Sequence, residues 1–362
     1  QQFHNGRLET KASLTEDSND DIRGHINSFG RFDIDHKWRW GFEAKRSSDD
    51  TYLRRYQFPN ERTLTSRAYI EGFSRRNYLA VDAYAFQGTA VEDDPGQAPL
   101  VLPMVEYSRL SDIGKFGSRT SFNLNSVLMT RSEGTDTRRI SVGGGWHLPH
   151  IGQLGDVTNF SATVQGDLYH VNDLAQTNGQ SNHDGFSGRI HPQLKADWRL
   201  PLARQHGSVS QIIEPLAQVG WVGGDGLAIP NEESISVDFD EGNLLSLSRF
   251  PAPDRRERGL SLAYGAQWSH KAYDGWSANI LLAQILRNNS QADFTKSSGL
   301  SSTNSDILLS GQFKLSKSIY FAGRTIFDND FEFTKSEVKG YWNSKTFNFG
   351  GSYVWLDKDP AE

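Results

Sequence analysis

Long segments in which apolar and polar side chains alternate residue by residue constrain this chain more than any other feature. A period of two sends successive side chains to opposite faces of an extended strand, whereas a helix repeats every three or four positions. Leu194, Ala196, Trp198 and Leu200 face one way; Lys195, Asp197 and Arg199 face the other. Trp38, Trp40, Phe42 and Ala44 oppose Arg39, Gly41, Glu43 and Lys45 in the same manner. The split recurs through Phe122–Leu128, Leu260–Trp268, Ile307–Leu315, Ile319–Phe327 and Phe347–Trp355. About seventeen such segments, most of roughly ten to fourteen residues, follow from this pattern. No stretch holds a helical stripe over three turns, so the reading is all-β.

The connections between segments carry a second signal. Short turns near Asp35–Lys37, Arg75–Asn77, Tyr273–Gly275, Ser316–Ser318 and Asn343–Lys345 tend to alternate with longer polar stretches. Those stretches lie near Ser47–Glu61, Val91–Pro103, Val171–Phe186, Gly223–Arg258 and Arg287–Ser305. An up-and-down antiparallel meander gathers all turns on one rim and all loops on the other. Outer-membrane barrels have this asymmetry, and their tilted strands need about nine to eleven residues, against about five or six in soluble sheets. In lipid every backbone N–H and C=O must pair internally, so a spanning sheet closes on itself. A soluble sandwich that buries its apolar face has the same period of two, so strand length, loop alternation and aromatic placement favour the transmembrane barrel together, not the period alone. Trp38, Trp40, Trp146, Trp221, Trp276, Trp342 and Trp355 fall near segment ends, where an interfacial girdle sits.

Composition agrees and excludes other classes. Only 36% of residues are hydrophobic, yet 12% are aromatic, which argues against disorder. With no cysteine there is no disulfide framework, thiolate metal site or cysteine nucleophile. No run approaches eighteen apolar residues, so no transmembrane helix is expected. The 38 basic and 44 acidic residues give a net charge of −6, with no basic excess for nucleic acid. No hydrolase, metalloprotease or phosphate-loop motif occurs. His147 and His150 flank Pro149 and are not a helical metal pair, His183 beside Asp184 reads as a loop histidine, and Gly143-Gly144-Gly145 reads as strand curvature. The chain is therefore expected to be no enzyme, with no catalytic residue, metal or cofactor.

Two segments break the alternation. Asp49 to Tyr56 (DDTYLRRY) heads a loop with two acids, two arginines and two tyrosines. The connection 223–258 is the longest, and loops of that length are usually functional or disordered. Phe239, Leu244, Leu245, Leu247 and Phe250 call for burial, while Asp238, Asp240, Arg249, Asp254, Arg255 and Glu257 can pair with one another. The expectation is an ordered loop folded into or over a barrel lumen, with Arg249, Asp254, Arg255 and Glu257 in charge pairs.

These same segments resemble the LptD family of lipopolysaccharide-assembly outer-membrane proteins, closest to its alphaproteobacterial branch. The resemblance rests on DDTYLRRY, on Ser208 to Pro215 (SVSQIIEP), and on the block from Ile229 through Asp240, Asn243 and Arg249-Phe250 to Asp254-Arg255-Arg256-Glu257-Arg258-Gly259. It extends over nearly the whole chain and marks Asp50, Tyr52, Arg54, Arg55, Asn243, Arg249, Asp254, Arg255 and Glu257 as motif residues. It implies a barrel of about 26 strands preceded by a periplasmic jellyroll domain. It also implies transfer of lipopolysaccharide from a periplasmic LptA-like bridge to the outer leaflet, with an LptE-like lipoprotein plug inside and outer-membrane lipids around. Residues 1–362 then read as an incomplete barrel domain in the bacterial outer membrane, lacking the jellyroll and terminal strands. The lateral gate and the family's disulfides do not carry over. Parity makes Arg39, Lys45, Lys195, Asp197, Arg199, Gln267, Lys314 and Arg324 candidate residues of a polar lipopolysaccharide path. The alternative from the barrel pattern alone is a porin-like diffusion or substrate-specific channel.

Overall fold

A computed structural model describes the chain apart from residues 1, 4, 17–20, 60, 175–182, 226–228, 274, 292 and 358–362. Strands make up nearly all of its regular structure. They are β1 (Gln2–Phe3), β2 (Gly6–Glu16), β3 (Ile22–Asp33), β4 (Trp38–Ser47), β5 (Thr63–Ser74), β6 (Asn77–Gly88), β7 (Leu100–Leu110), β8 (Arg119–Thr130), β9 (Asp136–Ile151) and β10 (Val157–Leu174). They continue with β11 (His183–Arg199), β12 (Leu202–His206), β13 (Val209–Val222), β14 (Gly259–Ala272), β15 (Ser277–Arg287), β16 (Ile307–Lys314), β17 (Ile319–Phe327), β18 (Phe333–Asn343) and β19 (Asn348–Leu356). Helix is confined, among the described residues, to one turn, α1 (Tyr52–Arg55), and two short 3-10 turns.

With the exception of β11 and β12, each strand pairs antiparallel with the next, from β1 to β19, in up-and-down order. β11 and β12 are two parts of one strand, because both pair with β13. Pro201 lies in the gap between them and has no N–H to donate to the ladder. Counted so, the sheet has eighteen strands, and all but β1 are long. The ladders explain how a chain with so few apolar residues holds together: the inner strands pair their backbone polar groups with a neighbour on each side.

The connections alternate as the sequence implied. Turns 34–37, 75–76, 111–118, 152–156, 207–208, 273–276, 315–318 and 344–347 share one rim, and the loops between the other strand pairs share the opposite rim. Local chemistry shapes the turns. The Asp35 carboxylate accepts the N–H groups of Lys37 and Trp38 at 2.7 and 2.8 Å, and Gly207 supplies a φ of 57°.

Two expected boundaries are corrected. The stretch Val91–Pro103 is not all loop, because β7 starts at Leu100. Pro103 is tolerated there because the ladder to β8 shifts register between Val101 and Met104. The connection expected at Val171–Phe186 is shorter, since β10 runs to Leu174 and β11 starts at His183; its centre, 175–182, lies outside the described residues.

The two faces differ as parity requires. Ile140, Val142, Leu168, Ile190, Leu194, Leu260, Phe321 and Val338 are exposed on the apolar face. The polar face carries, in one row of directly paired residues, Arg39, Glu71, Ala80, Glu106, Asn125, Ser141, Asp167 and Arg189 across β4 to β11. Burial is concentrated where loops return onto this polar face.

Candidate functional site

Residues 223–258, here called the strap, leave the sheet after β13 and re-enter at β14. The strap starts with the Gly223 N–H on the Pro192 carbonyl at 2.9 Å. It ends at Gly259, whose φ of 94° and 2.2 Å clearance from Asn288 Oδ1 leave no room for a side chain.

Between these points the strap lies against the polar face and is held in two ways. Phe239, Leu244 and Phe250 pack with Leu216, Ala263, Leu281, Ala283, Ile285, Leu308 and Ile326 of β13 to β17, and with Phe294 and Leu300 of the neighbouring loop. Phe250 and Phe294 stack with centroids 4.4 Å apart. These strand residues are apolar on the otherwise polar side, so β15 and β16 are apolar on both faces at Ile280–Leu282 and Ile307–Leu309.

Charge holds the rest. Glu232 pairs with Arg131 at 2.6 Å, Glu233 with Arg139, and Asp238 with Lys335 at 2.7 Å. Arg324 lies 3.5 Å from Asp240 and 3.0 Å from Glu337. Arg256 donates to Gln165, Arg189 to the Pro253 carbonyl at 2.5 Å, and Lys195 to the Leu245 carbonyl at 3.2 Å. Within the strap Arg249 pairs with Glu257, which also takes Arg287 at 3.1 Å; all three are buried. A single chain segment thus ties strands from β9 to β18 together on one face. The Asp238 carboxyl is held below its ordinary range by the Lys335 ammonium, against partial burial. Burial pushes the Arg256 guanidinium the other way, below its usual value.

The sequence-derived residues distribute as follows. Arg249 and Glu257 form an ion pair, and Arg255 lies 3.4 Å from Asp293. Asp254 is in no ion pair among the described residues, contrary to expectation. It accepts the Ser234 hydroxyl at 2.5 Å and the N–H groups of Glu232 and Glu233, so it folds the strap instead of neutralising a cation. Asp238 and Asp240 pair with the sheet, not with strap arginines. Asn243 and Asp240 exchange backbone-to-side-chain bonds that close a turn. In DDTYLRRY, Asp49 takes Arg23 through both oxygens at 2.8 and 2.5 Å, and Tyr52 is buried with its hydroxyl 2.8 Å from Ser13. Asp50 is half-buried, and Arg54 and Arg55 are exposed on α1.

Among the polar-face candidates, Arg39 pairs with Glu71, Lys45 with Glu61 at 2.8 Å, Lys195 with Asp197 at 2.8 Å, and Arg199 with Glu214 at 3.4 Å. Gln267 donates to Asn279 at 3.0 Å, while Lys314 is exposed with no ion pair among the described residues. A cleft of about 790 Å³ lies between the strap and β7 to β11, lined by Glu106, Asn123, Asn125, His147, Thr163, Gln193 and Lys195. Trp38, Trp40, Trp146, Trp276 and Trp342 lie on the apolar face toward the turn rim, and Trp221 and Trp355 toward the loop rim. Sequence reasoning missed Arg131, Arg139, Arg189 and Arg287. Parity could have placed Arg139, Arg189 and Arg287 on the polar face, but no local signal marks strap partners as much as 101 residues away in sequence.

The acid pair beside α1 gives a pH prediction. Arg23 holds the Asp49 carboxyl well below the usual range, so its stabilisation is present at neutral pH and is lost as pH falls below about 4 through the folded value. With the Asp49 side chain 34% exposed, Asp49→Asn is expected to cost about 1 kcal/mol at pH 7, less than a buried charged hydrogen bond. Melting of wild type and variant should converge in acid; a gap that widens there contradicts the assignment.

An eighteen-stranded antiparallel meander with long strands, an apolar outer face and a polar face covered by its own loop defines an outer-membrane β-barrel protein. Its family is equally definite: the chain belongs to LptD, LPS transport system D, whose family model matches residues 21–362. It is accordingly a lipopolysaccharide-transport component of the bacterial outer membrane and not an enzyme. Among solved structures it is similar to the siderophore receptor PirA from Pseudomonas aeruginosa, at 10% identity and a TM-score of 0.43, over 96% of this chain and 73% of that one. No curated protein sequence matches it.

Proposed function

We propose that this chain forms wall and strap of a barrel that inserts lipopolysaccharide into the outer leaflet, with the polar face as its lumen and the loop rim at the cell exterior. The observation that carries this reading is the division of labour across one sheet. Lipopolysaccharide has acyl chains and a large, anionic, sugar-rich head, and the sheet offers a continuous apolar face to one and a polar cleft to the other. Arg39, Lys45, Lys195, Asp197, Arg199, Gln267, Lys314 and Arg324 are the proposed head-group path. Most are paired within the wall, so they present a nearly neutral, hydrogen-bonding surface that does not trap an anion. Lys314 is the cation of the set that has no ion pair among the described residues. The strap, seated on that surface, narrows the passage, which sets the arrangement apart from an open diffusion channel. The interfacial tryptophans anchor the wall at both membrane boundaries.

Partners follow from the family: lipopolysaccharide itself, an LptE-like lipoprotein within the barrel, and an LptA-like bridge delivering through a jellyroll domain. Purification of the full-length protein should bring down the lipoprotein. The absence of native cysteine makes the face assignment directly testable. Cysteines at Arg199 and Lys314 should react with a membrane-impermeant maleimide in folded protein, and one at Trp198 should be shielded. The reverse pattern would overturn the assignment of lumen and lipid faces.

A further inference from the structure

On the apolar face, β9, β10 and β11 form a groove of about 650 Å³. Ile140, Val142, Leu168 and Ile190 wall it, all strongly exposed, and Gly166 and Gly188 form its floor. Crowding does not demand those glycines: a side-chain carbon at either would meet nothing closer than 3.8 Å. The floor is therefore open because none of the described residues fills it.

The mouth of the groove has different chemistry. Arg138, His170 and Phe186 are directly paired across the same three strands, each two residues nearer the loop rim than a groove residue. His170 is packed on Phe186 with centroids 4.4 Å apart. Arg138 is exposed, on the apolar side, and its guanidinium has neither ion pair nor hydrogen bond among the described residues. Most guanidinium groups around the strap are matched to carboxylates or carbonyls; this one is left facing the membrane boundary. Gly224 and Asp225, at the start of the strap, border the groove.

We infer that this groove is an outer-wall binding site for a phosphate-bearing lipid, namely lipopolysaccharide, with one acyl chain over Gly166 and Gly188 and a phosphate on Arg138. An apolar slot continuous with the lipid-facing wall takes the chain, and a free planar guanidinium at its rim takes the anion. The choice of lipid rests on the outward placement of the loop rim proposed above. The site lies on the opposite side of the sheet from the head-group path, and only the first residues of the strap, Gly224 and Asp225, reach it.

The test is native mass spectrometry of the full-length protein released from nanodiscs containing both lipopolysaccharide and phosphatidylethanolamine. Wild type should retain lipopolysaccharide. Arg138→Ala should lower that retention about tenfold, the weight of one charge-assisted hydrogen bond. Gly188→Phe, which fills the floor, should lower it similarly, and Arg138→Lys should preserve most of it. Arg46→Ala, which removes an exposed arginine at the loop-rim end of β4, should change nothing. Heat-modifiable gel mobility checks that each variant is folded. Undiminished retention in folded Arg138→Ala and Gly188→Phe overturns the site. Retention of phosphatidylethanolamine instead, lost in Asp225→Asn, overturns the choice of lipid. Retention is read on purified protein, so its failure is distinct from a failure of lipopolysaccharide delivery in cells.

Discussion

Replacing Glu257 with Gln should destabilise the protein by about 3–5 kcal/mol, because it removes a carboxylate paired with two buried guanidinium groups. Arg249 and Arg287 are 1% and 2% exposed at their side chains, so water cannot replace the lost charge. Arg287 keeps its bonds to the Leu300 and Ser302 carbonyls, and Arg249 its bond to the Ser246 carbonyl, but carbonyls do not neutralise a cation. The strap is the element with least to lose by leaving, since it is held by side chains and not by a ladder. Denaturant unfolding in detergent should therefore show a lower midpoint, and limited proteolysis should cut within 230–257 before any strand is lost. Replacing Glu257, Arg249 and Arg287 together with apolar residues of similar size should recover much of the loss, because it is the uncompensated charge that costs. A Glu257→Gln variant as stable as wild type, with an uncut strap, contradicts the role given to this triad.

Phe239→Ala should be nearly as damaging, at about 3–5 kcal/mol, by a separate route. Phe239 is 1% exposed and sits in the cluster that joins the strap to Ile285, Leu308 and Ile326. Truncation leaves a cavity in the cluster that covers the apolar residues on this side of the sheet. Phe239→Leu, which keeps most of the volume, should cost less than about 1.5 kcal/mol. The two contacts restrain one segment, so they are coupled. The double variant Glu257→Gln, Phe239→Ala should lose clearly less than the sum of the singles, because once the strap is free the second contact is already gone. Strict additivity would mean that the charged and apolar contacts hold independent pieces of the loop.

The fold was largely legible because lipid imposes a simple rule on a strand. Lys195, Asp197 and Arg199 against Leu194, Ala196 and Trp198 could be read directly, and the alternation of turns and loops set the meander order. Pro103 misled the boundary of β7 because proline usually ends a strand, and a register shift that accommodates it leaves no mark in one sequence. The double-sided apolar runs Ile280–Leu282 and Ile307–Leu309 were visible, and their cause was not. They are apolar on both sides because one side meets lipid and the other meets the strap. The strap's partners were the least legible part: Arg131 to Glu232 and Arg139 to Glu233 join residues about a hundred positions apart, which no local spacing encodes. Asp254 shows the same limit in small, since a carboxylate among arginines reads as an ion-pair partner and serves instead as the acceptor that folds the strap.

The reading of the polar face as the path for lipopolysaccharide is tested most directly by a photo-crosslinking side chain in place of Lys195, beside the strap, in cells making full-length protein. During active lipopolysaccharide synthesis it should give a covalent lipopolysaccharide adduct that disappears when synthesis is stopped. The same side chain at Trp198, three residues away and on the lipid face, should give no synthesis-dependent adduct. Absence of adduct at Lys195 while Trp198 crosslinks in step with synthesis would contradict the account, and would put the route on the outside of the wall.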